Sequence, residues 1–324
     1  MDLKLDFEPK LFDPRTPLRQ PPTKRAQANE PAPRTSRVYV YSSDIILAVN
    51  AALATERPLL VMGPPGTGKS SLAQHIAHHL GWRFYQRVIT SRTQAQDLLW
   101  TFDAVRRLRD AQAGSRLKND VVYVQPQLLW WALSPASAAR RGGKAARDIP
   151  RAKDLAEKAP ERHAVVLLDE IDKADPDIPN DLLGPLGDST FEVTDIQKVI
   201  TRETGRRMLL VITSNDEREL SPAFVRRCVL LTLKQHGRER LIDIAREHFP
   251  GEDPKLFAEV ADQVEADRAR AEKEGARPPS TAEYINAVAA CLRLGLRPGS
   301  PAWTDLSTLV LSKFRPAAPE PEAF

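Results

Sequence analysis

The sequence predicts an α/β fold, in which a parallel sheet is sandwiched by helices and is followed by a smaller all-α domain. Three observations support this prediction. Short apolar runs of strand length alternate with segments of helical periodicity up to about residue 233. A glycine-rich segment directly follows the first of these runs. From about residue 238 to residue 314, only helical periodicity remains.

The apolar runs have the composition of strands that are buried on both faces. Strands of a parallel sheet covered by helices consist almost entirely of apolar residues, because neither face meets water. Ligands of such sheets bind beyond the carboxyl ends of the strands, so we expect the functional site there. The predicted strands are 58–62, the more aromatic 82–89, 164–168, 208–213 and 229–233.

The glycine-rich segment matches the phosphate-binding motif G-x-x-x-x-G-K-[ST]. It lies between the predicted strand 58–62 and a predicted helix over 71–80, which is the context that the motif requires. Lys69 is expected to reach the β- and γ-phosphates of ATP, and the Ser70 hydroxyl to ligate Mg²⁺. The backbone N–H groups and the helix dipole would hold the other phosphate oxygens. The predicted nucleotide-binding residues of this segment are Gly63, Pro64, Pro65, Gly66, Thr67, Gly68, Lys69, Ser70 and Ser71.

Two adjacent carboxylates follow the predicted strand 164–168. Asp169 is suited to bind Mg²⁺, so the predicted metal ligands are Ser70 and Asp169, and Asp169 joins the nucleotide-binding set. Glu170 is suited to polarise a water for attack on the γ-phosphate. The alternative, a solvated turn after a strand, fits Asp172 and Lys173 better than it fits the acidic pair.

These motifs resemble those of the AAA+ superfamily and, within it, the MoxR-like ATPases. The resemblance covers about residues 38–311 and implies the AAA+ core, a P-loop NTPase sheet, with an all-α lid. Besides the phosphate motif, it depends on Leu168-Asp169-Glu170-Ile171-Asp172-Lys173-Ala174, Thr213-Ser214-Asn215 and Leu220-Ser221-Pro222-Ala223-Phe224-Val225-Arg226-Arg227-Cys228.

The resemblance also implies roles for residues outside the phosphate motif. Asn215 is similar to the sensor asparagine that orients the attacking water, although asparagine is also common where a strand ends in a turn. Arg226 or Arg227 resembles the arginine finger that one subunit offers to its neighbour's γ-phosphate, with Arg227 the first choice. Ordinary surface arginines are the alternative for this pair.

Two further segments are similar to subfamily features. Residues 91–133 look like the insertion that MoxR-like and chelatase-like members carry near the ring pore; contact with a substrate and core packing by Trp130 and Trp131 are both open. Residues 192–200 look like a hairpin before the sensor strand. The lid departs from the family pattern, because Ala282 and Glu283 stand where a second sensing arginine is common, and Arg277 and Arg293 are weak substitutes.

The domain prediction has four parts. The proline-rich stretch 1–37 is expected to be a disordered tail. The α/β nucleotide-binding domain is predicted over 38–236 with an insertion at about 100–162, whose part 134–162 is expected to be a mobile surface excursion. The lid is predicted over 237–315, and 316–324 is a second tail. Ser280 and Thr281, with Glu283, are expected to cap a lid helix.

Composition restricts the function classes. The sequence contains neither an apolar run long enough to span a membrane nor a signal-peptide core, so a cytoplasmic protein without membrane insertion is expected. Cys228 and Cys291 match no metal or redox spacing and are expected to be buried. The formal charge of +4 does not by itself indicate nucleic-acid binding.

The leading functional hypothesis is an ATP-hydrolysing ring, expected to be a hexamer, that remodels or activates a partner protein in a chaperone-like way. The resemblance implies ATP and Mg²⁺ as cofactors and a von Willebrand A-type protein as a possible partner. Three alternatives stay open: a nucleic-acid motor or loader, suggested by the basic run 140–162; a nucleotide-gated binding module; and a chelatase-type motor subunit.

Overall fold

The computed structural model describes residues 7–16, 38–113, 119–143 and 162–312. The contacts between their Cα atoms divide these residues into two compact units. The first unit contains residues 7–16, Tyr41–Met62 and Lys69–Thr232, and the second contains 38–40, Gly63–Gly68 and 233–312. The phosphate loop, Gly63–Gly68, therefore groups with the helical unit, although α/β elements flank it in the chain.

The described part of the first unit contains both strands and helices. The strands are β1 (Leu59–Met62), β2 (Arg83–Val88), β3 (Trp100–Phe102), β4 (Val124–Pro126), β5 (Ala164–Asp169), β6 (Thr190–Val193), β7 (Lys198–Thr201), β8 (Met208–Ser214) and β9 (Val229–Thr232). The helices are α1 (Ser43–Thr55), α2 (Lys69–Leu80), α3 (Gln96–Leu99), α4 (Ala104–Gln112), α5 (Leu128–Leu133), α6 (Pro135–Ala139), α7 (Asp177–Asp181), α8 (Leu183–Gly187) and α9 (Pro222–Val225). Short 3₁₀ helices span Asp120–Val122, Ile171–Lys173 and Thr194–Ile196.

Five strands form one parallel sheet in the order β2-β5-β8-β1-β9. The three central strands are almost wholly buried, as their apolar composition predicts. Strand β9 departs from the prediction of a buried strand, because it lies at the sheet edge and leaves Leu230 51% exposed. The predicted α/β class, a parallel sheet with flanking helices, is confirmed.

Residues 97–111 carry apolar residues at a spacing that predicts one helix, but the structure divides them between two helices and a strand. Strand β3 separates α3 from α4 and pairs antiparallel with β4. Trp100 is buried, stacks on the ring of Phe191 at 5.9 Å and donates a hydrogen bond to Asp195. These tertiary contacts stabilise an extended backbone where the spacing alone indicates a helix. The hairpin predicted at 192–200 is confirmed as the antiparallel pair β6 and β7.

The expectation of a disordered tail over 1–37 does not hold for residues 7–16. Phe12 is 1% exposed, and its ring packs at 5.4 Å from Tyr41 and 5.3 Å from His79. The side chain of Asn50 binds the backbone here, accepting from the N–H groups of Leu11 and Phe12 and donating to the Phe12 carbonyl. One buried aromatic ring and these backbone bonds fix a proline-containing segment without helix or strand.

The expected excursion at 134–162 is ordered over its first ten residues, up to 143. Helix α6 packs there with Ala138 buried, and the Arg141 guanidinium is buried and donates to the carbonyls of Val122 and Val124. Burial lowers the pKa of Arg141. Residues 144–161 lie outside the described part of the chain. Trp130 and Trp131 are fully buried, so they pack in the core, which was one of the two roles left open for them.

The second unit is an all-α assembly. Its helices are α10 (Arg238–His248), α11 (Pro254–Glu274), α12 (Thr281–Leu294) and α13 (Pro301–Ser307), followed by a π-helical turn over Thr308–Ser312. The predicted cap is confirmed: the Ser280 hydroxyl and the Glu283 carboxylate bind each other's backbone N–H groups in a capping box. Cys228 and Cys291 are buried free thiols, as predicted. Within the described residues, no helix combines the length and apolar character needed to cross a membrane.

Candidate nucleotide site

The candidate site of the first unit lies where three adjacent strands end. Asp169 is the last residue of β5, Asn215 directly follows β8, and Lys69 and Ser70 open α2. Because the strands are parallel, their carboxyl ends share one edge of the sheet. The structure therefore brings together four side chains from three places that are far apart in the sequence.

Ser70 and Asp169 form the first contact of the site. The Ser70 hydroxyl donates to Asp169 Oδ1 at 2.8 Å, and Asp169 is only 9% exposed. Thr213, fully buried on β8, donates to the same carboxylate oxygen at 2.5 Å. A hydroxyl and a carboxylate are oxygen ligands of the kind that Mg²⁺ prefers. The pair therefore fits a magnesium ion bound together with a nucleotide.

Lys69 and Asn215 form the second contact. The Lys69 ammonium donates to Asn215 Oδ1 at 2.8 Å, and Lys69 is 6% exposed. Burial lowers the pKa of Lys69, while the charges of Asp169, Asp172, Glu170 and Glu217 oppose that shift. The surrounding carboxylates thus support a buried ammonium that can bind phosphate oxygens.

Glu170 follows Asp169 with an unusual backbone. Its φ is 61° and its ψ is 50°, the left-handed region that residues other than glycine seldom occupy. Its N–H donates to Thr213 Oγ1 at 2.9 Å, which links β5 and β8 a second time. The Glu170 carboxylate accepts from Lys173 Nζ at 2.7 Å, and this pair is partly exposed. Lys173, expected only to be in a solvated turn, is therefore a direct partner of the predicted water-polarising group.

Asp172 contradicts the expectation of a solvated turn. It lies in the 3₁₀ helix Ile171–Lys173, is 3% exposed, and accepts hydrogen bonds from the backbone N–H groups of Asn215 and Glu217. Asp172 is not among the site residues predicted from the sequence. The available signal was its spacing, three residues after Asp169, which one helical turn brings to the same side as the acidic strand end.

The phosphate loop is described within the second unit. Gly63 and Gly66 have φ of 139° and 78°. A Cβ atom at Gly63 would stand 2.1 Å from the Leu233 carbonyl oxygen, and one at Gly66 would stand 2.4 Å from the Ser280 Cβ. Glycine is thus required at both positions by conformation and by space. The other loop residues predicted to bind nucleotide differ in burial: Thr67 is buried, Gly68 is half-buried, and Pro64 and Pro65 are exposed.

Two side chains of the second unit contact this loop. Tyr39 lies against Gly68, where a Cβ atom would stand 3.3 Å from the Tyr39 ring. His236 has a hydrogen bond with the backbone of Thr67 that raises its pKa, but burial has the larger effect and lowers it. The predicted Ser71, in the first unit, is exposed on α2.

Arg226 and Arg227 are not joined to the group around Lys69. Both are exposed just after α9, and neither side chain has a hydrogen bond or ion pair with the described residues of the chain. Their backbone carbonyls accept from the Arg57 guanidinium, which fixes the turn that carries them. The turn is therefore held in place while both guanidinium groups remain available.

The lid arginines considered from the sequence have other surroundings. Arg277 lies 3.6 Å from the carboxylate of Glu283, the capping residue of α12. Arg293 is exposed in the last turn of that helix. Neither arginine has a hydrogen bond to the phosphate loop among the described residues of the second unit.

The parallel sheet, the lysine and serine after a glycine-rich loop, and the acidic strand end define a P-loop nucleotide-binding protein. A family model, the AAA domain (dynein-related subfamily), matches residues 58–228. This is just over half of the chain, so the chain belongs to the AAA family. Members of this family are P-loop ATPases that generally bind ATP with Mg²⁺ and commonly assemble into rings.

Individual relatives are distant. The chain is 35% identical over 81 residues to Midasin of Giardia intestinalis, a match that covers 23% of this chain and 2% of that protein. It is 27% identical over 204 residues to CD-NTase-associated protein 6 of Pseudomonas aeruginosa, covering 60% of this chain and 55% of that protein. The matches thus span little more than half of the second relative and a small fraction of the first.

Among solved structures, the chain is similar to the RuvB Holliday junction branch migration motor of Thermotoga maritima. The match has 15% identity and a TM-score of 0.42, and it covers 82% of this chain and 66% of that chain. A proline-to-glycine variant of the same motor gives a TM-score of 0.46 at 15% identity, with 82% and 68% covered.

Proposed function

We propose that this chain hydrolyses ATP with Mg²⁺ in a ring of identical subunits, and that turnover remodels or activates a partner protein. The observation that carries the proposal is the grouping of Lys69, Ser70, Asp169 and Asn215 through two hydrogen bonds of 2.8 Å. A passive phosphate loop has no need of a buried acid and an amide opposite its lysine. Hydrolysis needs both kinds of group.

Each side chain has a separate proposed task. Lys69 binds the β- and γ-phosphates, and Ser70 and Asp169 hold Mg²⁺, which neutralises charge that develops on the phosphate oxygens. Glu170 polarises the attacking water, and Asn215 orients it. The Lys69–Asn215 contact supports this arrangement, because it joins the phosphate-binding side chain to the water-orienting one.

The proposed site is completed by a second subunit. Arg226 and Arg227 are exposed, and their side chains are unbound within the described residues, although the Arg57 guanidinium holds their backbone. A fixed turn with free guanidinium groups suits an arginine finger that acts on a neighbour's γ-phosphate. This contribution is the reason to propose a ring, with six subunits as in the MoxR-like group that the motifs resemble.

Helix α4 supports a protein partner. Three of its polar residues contact their neighbours in the first unit: Arg107 pairs with Asp120 at 2.7 Å, Asp110 accepts from the Tyr123 hydroxyl at 2.8 Å, and Arg106 lies over the Tyr123 ring.

The apolar residues of α4 face the opposite way. Val105 and Leu108 are 61% and 59% exposed, and no residue of the helix is buried. A helix with its apolar face outward favours a protein client over a nucleic acid, because apolar side chains add little to phosphate binding.

Three variants test hydrolysis. Lys69→Ala should abolish ATP binding, whereas Glu170→Gln should bind ATP and lose turnover. Arg227→Ala should bind ATP and lose about 10³-fold or more in kcat, in line with other arginine fingers. Arg226→Ala is the matched control, and loss there alone would reassign the finger. Wild-type turnover no faster than that of Lys69→Ala would remove the proposed function.

Partner contact is tested separately. Glu170→Gln, which holds ATP without turnover, serves as a trap from which bound proteins are identified. The identified partner, once purified, should stimulate wild-type ATPase activity. It should not stimulate the double variant Val105→Ser/Leu108→Ser, whose basal rate stays unchanged. Stimulation by duplex DNA at low salt, with no response to the partner, would favour a nucleic-acid motor instead.

A further inference from the structure

Asp172 places a carboxylate in the interior of the first unit. Only 3% of the residue is exposed, and its Oδ1 atom is buried without a hydrogen-bond partner among the described residues. An unsatisfied buried carboxylate oxygen is destabilising, because it gives up its hydrogen bonds to water and gains none in return. A small apolar residue would avoid that loss, so the presence of a carboxylate calls for an explanation from the contacts of its other oxygen.

The other oxygen, Oδ2, binds the loop that follows β8. It accepts from the N–H of Asn215 at 3.1 Å and from the N–H of Glu217 at 3.2 Å. One carboxylate oxygen therefore holds both ends of a three-residue segment. That segment begins with the residue whose side chain binds Lys69.

The position of Asp172 is itself constrained by the acidic strand end. The left-handed backbone of Glu170, with φ of 61°, turns the chain out of β5 and into the 3₁₀ helix that carries Asp172. Thr213 binds both the Glu170 N–H and Asp169 from β8. Two connections thus join the same pair of segments: Thr213 reaches from β8 to β5, and Asp172 reaches back from beyond β5 to the end of β8.

We propose that Asp172 is a positioning residue for hydrolysis: its carboxylate fixes the peptide of Asn215, and so sets where the Asn215 amide stands relative to Lys69 and Glu170. This inference rests on the proposed ATPase function. Asp172 touches neither the nucleotide nor the water in this account. It acts through Asn215.

The first experiment compares three variants by kcat and by the Kd for ATP. Asp172→Ala should lower kcat by about tenfold or more, because a charge-assisted pair of hydrogen bonds to the Asn215 loop is lost. The Kd for ATP should change by less than about threefold, since Lys69 and Ser70 are intact. Asp172→Asn should recover most of kcat, because its side-chain carbonyl still accepts both N–H groups. Asp175→Asn is the matched control at an exposed carboxylate and should behave as wild type.

The second experiment asks whether Asp172 acts through Asn215. If it does, the double variant Asp172→Ala/Asn215→Ala should be no slower than Asn215→Ala alone. Multiplicative losses in kcat would overturn the positioning role. So would an Asp172→Asn variant as slow as Asp172→Ala.

The third experiment does not depend on turnover. Amide hydrogen exchange over residues 213–218 should be faster in Asp172→Ala and close to wild type in Asp172→Asn. Unchanged protection in Asp172→Ala would overturn the proposal even if the ATPase function holds. If exchange is faster in Asp172→Ala but the wild-type protein shows no ATPase activity, the proposed function is refuted, while the contact between Asp172 and the Asn215 loop is supported. If Asp172→Ala does not fold, Asp172→Ser replaces it, because the shorter hydroxyl cannot reach both N–H groups.

Discussion

The ammonium of Lys69 and the side-chain carbonyl of Asn215 are 2.8 Å apart, although 146 positions separate them in the chain. The contact joins the start of α2 to the end of β8 across the edge of the parallel sheet. The backbone of each residue is fixed: Lys69 is part of α2, and the Asn215 N–H donates to the Asp172 carboxylate.

Thr213→Val should disrupt the acidic strand end with little change in shape. The valine removes the hydroxyl that donates to Asp169 and accepts from the Glu170 N–H. We expect a loss of about 1–3 kcal/mol in the free energy of unfolding, because the buried Asp169 carboxylate loses a donor and the Glu170 N–H loses its acceptor. Mg²⁺-dependent ATP binding should also weaken. Thr201→Val, at an exposed position of β7, is the control for both measurements, and equal stability of the two variants would contradict this account.

Lys173→Met should remove the ion pair that Lys173 forms with the Glu170 carboxylate. The 2.7 Å ion pair is partly exposed and screened by water, so the free energy of unfolding should hardly change. Basal turnover should rise modestly, by a few-fold at most, because the Glu170 carboxylate is then free to bind the attacking water. Lys173→Arg keeps the charge and should match wild type. A slower Lys173→Met enzyme would show that the lysine assists hydrolysis instead.

Phe12→Ala should detach residues 7–16 from the first unit. The ring is fully buried between Tyr41 and His79, and its removal should cost up to about 3 kcal/mol locally. Hydrogen exchange over residues 7–16 should accelerate strongly, while the sheet strands stay protected. Leu11→Ala removes a side chain that is 36% exposed and should have a much smaller effect. Equal exchange in both variants would argue against Phe12 as the anchor.

Stability should fall as the pH drops below the ordinary histidine pKa of 6.5. Burial lowers the pKa of His79, and the Asp13 backbone carbonyl and carboxylate oppose this only in part. As the pH falls, His79 is therefore protonated in the unfolded chain before it is protonated in the folded chain. The stability that the neutral His79 contributes is lost as the pH falls from 6.5 through the lowered pKa.

This pH dependence can be measured with one variant. The free energy of unfolding should decrease between about pH 7.5 and about pH 5.5, and it should decrease less in His79→Gln. Burial also lowers the pKa values of His236 and His248, so these residues add to the slope that remains in His79→Gln. An identical slope in His79→Gln would rule out a contribution from that residue.

The central strands and the motif residues could be predicted because their chemistry is local. Strand β5 is continuous apolar sequence since both of its faces are buried, and Lys69 and Ser70 follow a glycine pattern that few other structures use. Asn215 was found only through the family resemblance. Its contact with Lys69 depends on strand order, which the local sequence does not encode.

The missed features depend on tertiary contacts. Asp172 is turned inward by the left-handed backbone of Glu170, a conformation that the residue type disfavours. Trp100 is extended because its ring stacks on Phe191, and Phe12 is ordered because Asn50 binds its backbone. For Trp100 and Phe12 a distant residue outweighs the local pattern, so no window of neighbouring sequence could indicate the result.

The central claim is that one subunit's Glu170 works with an arginine from the next. The most direct measurement is the ATPase rate of an equimolar mixture of Glu170→Gln and Arg226→Ala/Arg227→Ala subunits, after dissociation and reassembly. Each variant alone should be inactive, and the mixture should recover about a quarter of the wild-type rate. With random assembly, half of the subunits carry an intact Glu170 and half of their neighbours carry intact arginines, so about a quarter of the interfaces have both. A mixture as inactive as its components, or full activity in the double-arginine variant alone, would contradict the shared site.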